Sequence, residues 1–174
     1  YPCVGSDNHR GGALATRHLI ERGRRRIAFV GDERLPEVAL RYAGYREALA
    51  GAGIAFDPRL LLRTPFAADE AHRAFAGLLA QDVPLDGVAA ASDVIAISAI
   101  RALHDRGLRV PEDVAVVGFD DVPIAQFARP ALTTVRQDLP RAAALLVQAL
   151  IERIDGGQPR PAPIEPMLVV RESA

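Results

Sequence analysis

Short apolar runs alternate along this chain with longer stretches whose apolar residues recur at three- and four-residue spacing, and no other feature limits its folding options as much. The spacing predicts a helix from Gly11 to Arg22, with Leu14, Ala15, His18 and Leu19 on one face and Gly23 as its stop. Ile27-Ala28-Phe29-Val30 follows as a continuous apolar run, the pattern of a parallel strand buried on both faces. A helix from Val38 to Leu49 comes next, with Leu40, Tyr45, Ala48 and Leu49 apolar, then a strand at Leu60 to Leu62, a helix from Ala68 to Leu79 and a strand from Gly87 to Ala91. Ser92 and Asp93 can cap the following helix, which carries Ile97, Ile100, Ala102 and Leu103 and stops at Gly107. Val114 to Phe119 is the most strand-like stretch and runs directly into Asp120-Asp121. A strand from Leu132 to Val135, a helix from Ala142 to Ile154 and a strand from Met167 to Val170 complete the pattern. Strands separated by helices of about 10–15 residues imply right-handed βαβ units. The expected class is therefore α/β, a doubly wound, mainly parallel sheet covered on both faces.

Sequence-wide properties exclude more than they assign. With 174 residues, 49% of them hydrophobic and 25% charged, the chain is long enough to bury a core of its own, and disorder, collagen and a disulfide scaffold are excluded. A formal net charge of -1 leaves no basic footprint, so any contact with DNA is expected to lie outside this chain. All 21 basic residues are arginine, which weakens the arginine excess as a sign of anion binding. Cys3 is the single cysteine and cannot form an internal disulfide, which fits a reducing compartment, and the cytoplasm is the expected location. No apolar run approaches the roughly 18–20 residues of a membrane span, and the first residues lack the pattern of an export signal. The chain starts at Tyr1 and has its only methionine at Met167, so a preceding segment is expected.

Parallel sheets bind ligands at the carboxyl ends of their strands, which directs attention to a few positions. Catalytic and nucleotide signatures are absent there: the chain has no G-x-G-x-x-G, no P-loop and no G-x-S-x-G, and His9, His18, His72 and His104 show no metal spacing. Neither an enzyme nor a cofactor is expected. Asp120, at the end of the Val114 strand, can accept hydrogen bonds from adjacent hydroxyls of a polyol or sugar; equally, the Asp pair can be a turn. Arg41 can bridge hydroxyls or a carboxylate with its planar fork, or pair at the surface with Glu37 or Glu47. Phe66 can stack on the apolar face of a sugar ring or pack into the core. Ser92 can supply a ligand hydroxyl or a helix cap, and the Gln137 amide has the same ambiguity. Arg24-Arg25-Arg26 reads as a solvated strand entry rather than an anion patch.

Several segments together resemble one family. SDNHRGGALATRHLIERGRRRIAFVG (Ser6 to Gly31), RYAGYREALAGAGI (Arg41 to Ile54), ASDVIAISAIRALHDRGLRVPEDVAVVGFDD (Ala91 to Asp121), PALTTVRQDL (Pro130 to Leu139) and MLVVRES (Met167 to Ser173) look like the effector-binding core of bacterial LacI/GalR-type transcription regulators. The resemblance implies one lobe of a periplasmic-binding-protein-like, two-lobed domain: residues 1–23 the remnant of the N-terminal lobe, 24–136 the C-terminal lobe, 137–174 a crossover helix and closing strand. It implies that a helix-turn-helix and most of the first lobe lie outside the chain, and that operator DNA is met only through them. The family's ligand pattern falls on Arg41 in R-x-x-G, Phe66, Asp120 in VGFDD and Gln137 in LTTVRQ, while Ser92 stands where many relatives have asparagine. The function so implied is sensing of a small molecule such as a sugar by a homodimeric repressor or activator, with Val94 to Ala102 and Ile124 to Phe127 as candidates for the association of C-terminal lobes; both segments can equally be plain core. The alternative is an exported sugar-binding protein of a transporter. A cleft with one wall is expected to bind its ligand weakly.

Overall fold

The computed structural model describes residues 4–159 and 162–174, so the expectation for Cys3 lies outside the described residues. Its elements in chain order are β1 (Val4–Ser6), α1 (Asn8–Glu21), β2 (Ile27–Val30), α2 (Pro36–Gly51), β3 (Leu61–Leu62), α3 (Ala68–Leu79), β4 (Gly87–Ala90), α4 (Asp93–Asp105), β5 (Ala115–Asp120), β6 (Thr133–Arg136), α5 (Leu139–Ile154), β7 (Ala162–Ile164) and β8 (Met167–Val169). Six strands form one sheet in the order β3-β2-β4-β5-β6-β8, parallel except for β8, which runs antiparallel to β6. This is the doubly wound α/β sheet the apolar runs require. β2 and β4 are buried along their whole length, as a strand with helices on both sides must be.

Adjacent residues of β5 show how the helices divide. Phe119 lies against Gly11 of α1, while Gly118 lies against Asp93 and Ala96 of α4. Because successive strand residues point to opposite faces, α1 and its partner α2 cover one side, and α4 with its partner α3 covers the other. The core between them is continuous and includes Leu19, Ile27, Phe29, Tyr45, Phe75, Ile95, Leu103 and Phe119. Tyr45 is fully buried yet satisfied, its hydroxyl donating to the Ile27 carbonyl at 2.8 Å.

Several boundaries differ from the sequence expectation for identifiable reasons. α1 begins at Asn8 rather than Gly11, because the Asp7 side chain accepts from the Arg10 N–H and caps a first turn without apolar residues. Asp138 does the same for α5, which begins at Leu139 rather than Ala142. Leu60 closes a 3-10 turn instead of opening a strand. Leu40, expected on the buried face of α2, is exposed. Two strands were not foreseen: β1 and β7 pair in parallel as a separate two-stranded sheet, with α5 packed beside them. Helix α1 leaves β1 and packs Ala15 and Leu19 into the core of the main sheet. None of α5 is buried, and Leu146, Val147, Leu150, Ile151 and Ile154 lie open along it.

Candidate binding cleft

The cleft starts from a close helix crossing. Gly12 of α1 lies against the backbone of Arg41 in α2, and Gly44 lies against the backbone of His9; a Cβ at either position would overlap the opposing main chain. The glycine of R-x-x-G therefore lets the two helices approach until their backbones touch. That approach brings Asn8, at the start of α1, within reach of Arg41. Arg41 Nε donates to Asn8 Oδ1 at 2.7 Å, and its Nη1 donates to the Ala91 carbonyl beyond β4. The guanidinium also lies over the Phe119 ring, 3.7 Å from its centroid. Arg41 is thus buried and locked on three sides, and burial lowers its pKa from the ordinary arginine value, opposed by the charges of Asp120 and Glu37. The surface pairing with Glu37 or Glu47 does not form: Glu47 instead meets Arg17 and His9.

One edge of the fork remains for the cleft. Arg41 Nη2 stands 3.9 Å from Asp120 Oδ1, too far for a direct hydrogen bond. Asp120 Oδ1 accepts from Gln137 Nε2 at 2.7 Å. Burial raises the Asp120 pKa, while Arg41 and the Gln137 hydrogen bond act to lower it. Asp120 and Asp121 have φ of 111° and 54°, so two consecutive non-glycine residues lie in the left-handed half of the map. Each such residue costs on the order of 1–3 kcal/mol and persists only where its surroundings over-determine it. The two carboxylates go separate ways, as adjacent strand-end residues should. Asp121 accepts from Arg136 Nε at 2.6 Å and from Arg171 Nη2 at 2.7 Å, bolting β5 to the chain after β8.

Ser92 and Phe66 complete this wall. Ser92 is buried and caps α4, its Oγ accepting from the Ile95 N–H at 3.3 Å. Phe66 is half exposed rather than packed into the core. The structure brings Arg41, Phe66, Ser92 and Asp120 together with Glu37 and Val94 around an open cleft of about 360 Å³. Gln137 touches the cleft through Asp120. The arrangement offers a buried cation edge, a fixed carboxylate and an exposed aromatic face, a set that suits hydroxyl-rich rings. It offers no nucleophile paired with a base. Sequence reasoning missed Asn8, whose role depends on the helix crossing, and Asp93, read only as a cap. Asp93 is fully buried, and burial pushes its pKa up to about 6 against hydrogen bonds from Thr134 and Val122.

The other singled-out residues have structural roles. Arg25 and Arg26 donate their backbone N–H groups to Asp86, and Arg24 donates to the carbonyls of Pro111 and Glu112. His72 meets Asp105. Among the described residues no cluster of His, Cys, Asp or Glu could hold a metal, and no helix is long and apolar enough to cross a membrane. Of the segments considered for association, Ile95, Ala96, Ala99, Ala102 and Ala125 are core, whereas Val94, Ile124 and Phe127 are exposed.

Comparison with known proteins agrees with this architecture. The pattern of the periplasmic binding protein-like domain matches residues 16–174. The HTH-type transcriptional regulator CelR of Thermobifida fusca is 41% identical over 173 residues, covering 98% of this chain and 51% of that protein. The HTH-type transcriptional repressor PurR of Pasteurella multocida is 36% identical over 166 residues, covering 94% and 50%. The chain thus spans about half the length of the curated relatives it matches. Among solved structures, a transcriptional regulator CelR–cellobiose complex superposes with a TM-score of 0.94 at 40% identity, over 99% of this chain and 54% of that one. A LacI family regulator from Enterococcus faecium with bound ribose gives 0.90 at 30% identity, over 99% and 65%. The chain belongs to the periplasmic binding protein-like domain family, and its relatives there are LacI-family transcriptional regulators.

Proposed function

We propose that this chain is the sugar-sensing part of a LacI-type DNA-binding transcription regulator. The observation that carries the reading is the cleft itself: a locked Arg41 edge and a strained Asp120 carboxylate beside an exposed Phe66 ring. Arg41 donates to one ligand hydroxyl, Asp120 accepts from its neighbours, Phe66 covers the apolar face of the ring, and Ser92 and Gln137 complete the polar contacts. The similar CelR structure holds cellobiose, which makes a neutral glucose disaccharide the first effector to test.

The work of such a protein is binding rather than catalysis. A sugar that prefers one arrangement of two lobes shifts the population toward it, and a dimer passes that difference to paired DNA-binding heads. In this scheme the six-stranded sheet with α1 to α4 is one lobe, while β1, β7 and α5 belong with a second; α1, expected within the N-terminal remnant of residues 1–23, is placed with the sheet because Ala15 and Leu19 pack into its core. Val94, Ile124 and Phe127 are the apolar residues available for association between two copies, operator DNA is met by a segment outside this chain, and the protein works in the cytoplasm. The regulators among its relatives disfavour the transport-receptor alternative.

Thermal denaturation of the intact regulator with cellobiose and with ribose tests the reading. A ligand at about a hundred times its Kd stabilises the folded state by about 2.7 kcal/mol, readily seen as a rise in Tm. A rise with one of these sugars supports sugar sensing; no rise with either at millimolar concentration contradicts it.

A further inference from the structure

Asp93 is buried beside the cleft but does not line it. It follows Ser92 at the start of α4, yet neither of its oxygens serves the first turn of that helix, whose Ile95 N–H is taken by Ser92. They are aimed at the segment just after β5 and at β6 instead. Oδ2 accepts from the Val122 N–H at 2.8 Å, and Oδ1 accepts from the Thr134 hydroxyl. Gly118 of β5 passes so close that a Cβ there would overlap Asp93 Oδ1, so the absence of a side chain at 118 leaves room for this carboxylate.

The groups it holds bracket the strained corner. Val122 directly follows Asp120 and Asp121, and Thr134 sits on β6 two residues before Arg136, the register partner of Asp120. The ionic contacts of the corner are accounted for on its other sides: Asp121 by Arg136 and Arg171, Asp120 by Gln137 and the more distant Arg41. The N–H that comes after the two positive-φ residues is held by Asp93. Without that anchor the corner can relax toward ordinary dihedrals, and the Asp120 carboxylate would turn with it.

We propose that Asp93 is a positioning residue for the cleft: by anchoring Val122 and Thr134 it holds Asp120 in the orientation in which it meets a ligand, a role that rests on the cleft reading above. Crystal structures of the intact regulator and its Asp93→Ala, Asp93→Asn and Thr134→Val variants, without ligand, test the geometric part. In Asp93→Ala, Asp120 should leave positive φ and lose its bond to Gln137. Asp93→Asn keeps an acceptor for Val122 and should retain both features. Thr134→Val preserves the core shape while removing one anchor and should show a smaller displacement of the same kind, which decides the matter if the alanine variant does not fold. In cellobiose titrations, Asp93→Ala should weaken binding by about tenfold, Asp93→Asn by less than about twofold, and Asp93→Ala should have no further effect once Asp120 is alanine. An unmoved Asp120 in Asp93→Ala and Thr134→Val, or losses that simply add with Asp120→Ala, would overturn the proposal. If Asp120 moves as expected while the unaltered protein ignores cellobiose, the positioning role stands and the choice of sugar fails.

Discussion

At the scale of single residues, the cleft depends on side chains whose own neighbours immobilise them. Arg41 contributes geometry more than charge: its fork bonds Asn8 and Ala91 at once and stacks on Phe119, which a lysine cannot reproduce. Arg41→Lys is expected to destabilise the fold by about 1–3 kcal/mol in chemical denaturation and to weaken sugar binding, because a buried acceptor at Asn8 or Ala91 is left without its donor. Asp93 gives a pH prediction with a definite sign. Its folded-state pKa, pushed up to about 6 by burial, lies above the value of an unfolded aspartate, so the proton is held more tightly in the folded protein. Stability from this group is complete below the unfolded value and is lost as pH rises through about 6. The charges facing it are Asp120 and Asp121, which favour its neutral form, with Arg136 and Arg171 already paired to Asp121. Asp93→Asn removes the titration. Melting curves should therefore show the original protein gaining on that variant, by roughly 2–3 kcal/mol at most, as pH falls from about 7.5 to about 4. A constant difference across that range would show that Asp93 does not titrate there. The residue types at the strand ends were legible in the sequence; the partners that fix them were not, since Asn8 and Arg41 are 33 positions apart and meet only through a helix crossing.

At the scale of elements, the crossing of α1 and α2 connects the glycines of the sequence to the cleft. Gly44→Ala places a Cβ against the His9 carbonyl, where backbone rather than a flexible side chain must move. Overpacking of this kind costs about 1–3 kcal/mol, and the same displacement should pull Asn8 from Arg41 and weaken ligand binding, whereas Gly77→Ala in α3, where the added Cβ meets open space, should do neither. Parallel calorimetric and denaturation measurements on the two variants check this contrast. The apolar runs of β2, β4 and β5 and the helices between them were readable because burial on both faces leaves a continuous apolar signal. β1 and β7 carry no such signal: Val4-Gly5-Ser6 and Ala162-Pro163-Ile164 are short, contain glycine or proline, and find each other across most of the chain. The starts of α1 and α5 were misplaced for a related reason, since a cap and a polar first turn show no periodicity until the capping contact is seen.

At the scale of the whole molecule, two apolar surfaces stand exposed among the described residues. Ile124 and Phe127 are 57% and 71% exposed on the turn that follows the Asp120 corner. If they join two copies, Phe127→Arg should convert a dimer to a monomer in sedimentation velocity with the fold intact, and an unchanged sedimentation coefficient would remove this face from the interface. The open face of α5 is the surface that a second lobe would cover in the proposed two-lobed arrangement, and the cleft would gain its opposite wall from the same lobe. The central claim is that this cleft binds a sugar through Asp120. Calorimetric titration of cellobiose into the intact regulator and its Asp120→Ala variant tests it most directly. The account predicts saturable binding to the first and a loss of at least about 2 kcal/mol, roughly thirtyfold in Kd, in the second; equal affinity in the two proteins would contradict it.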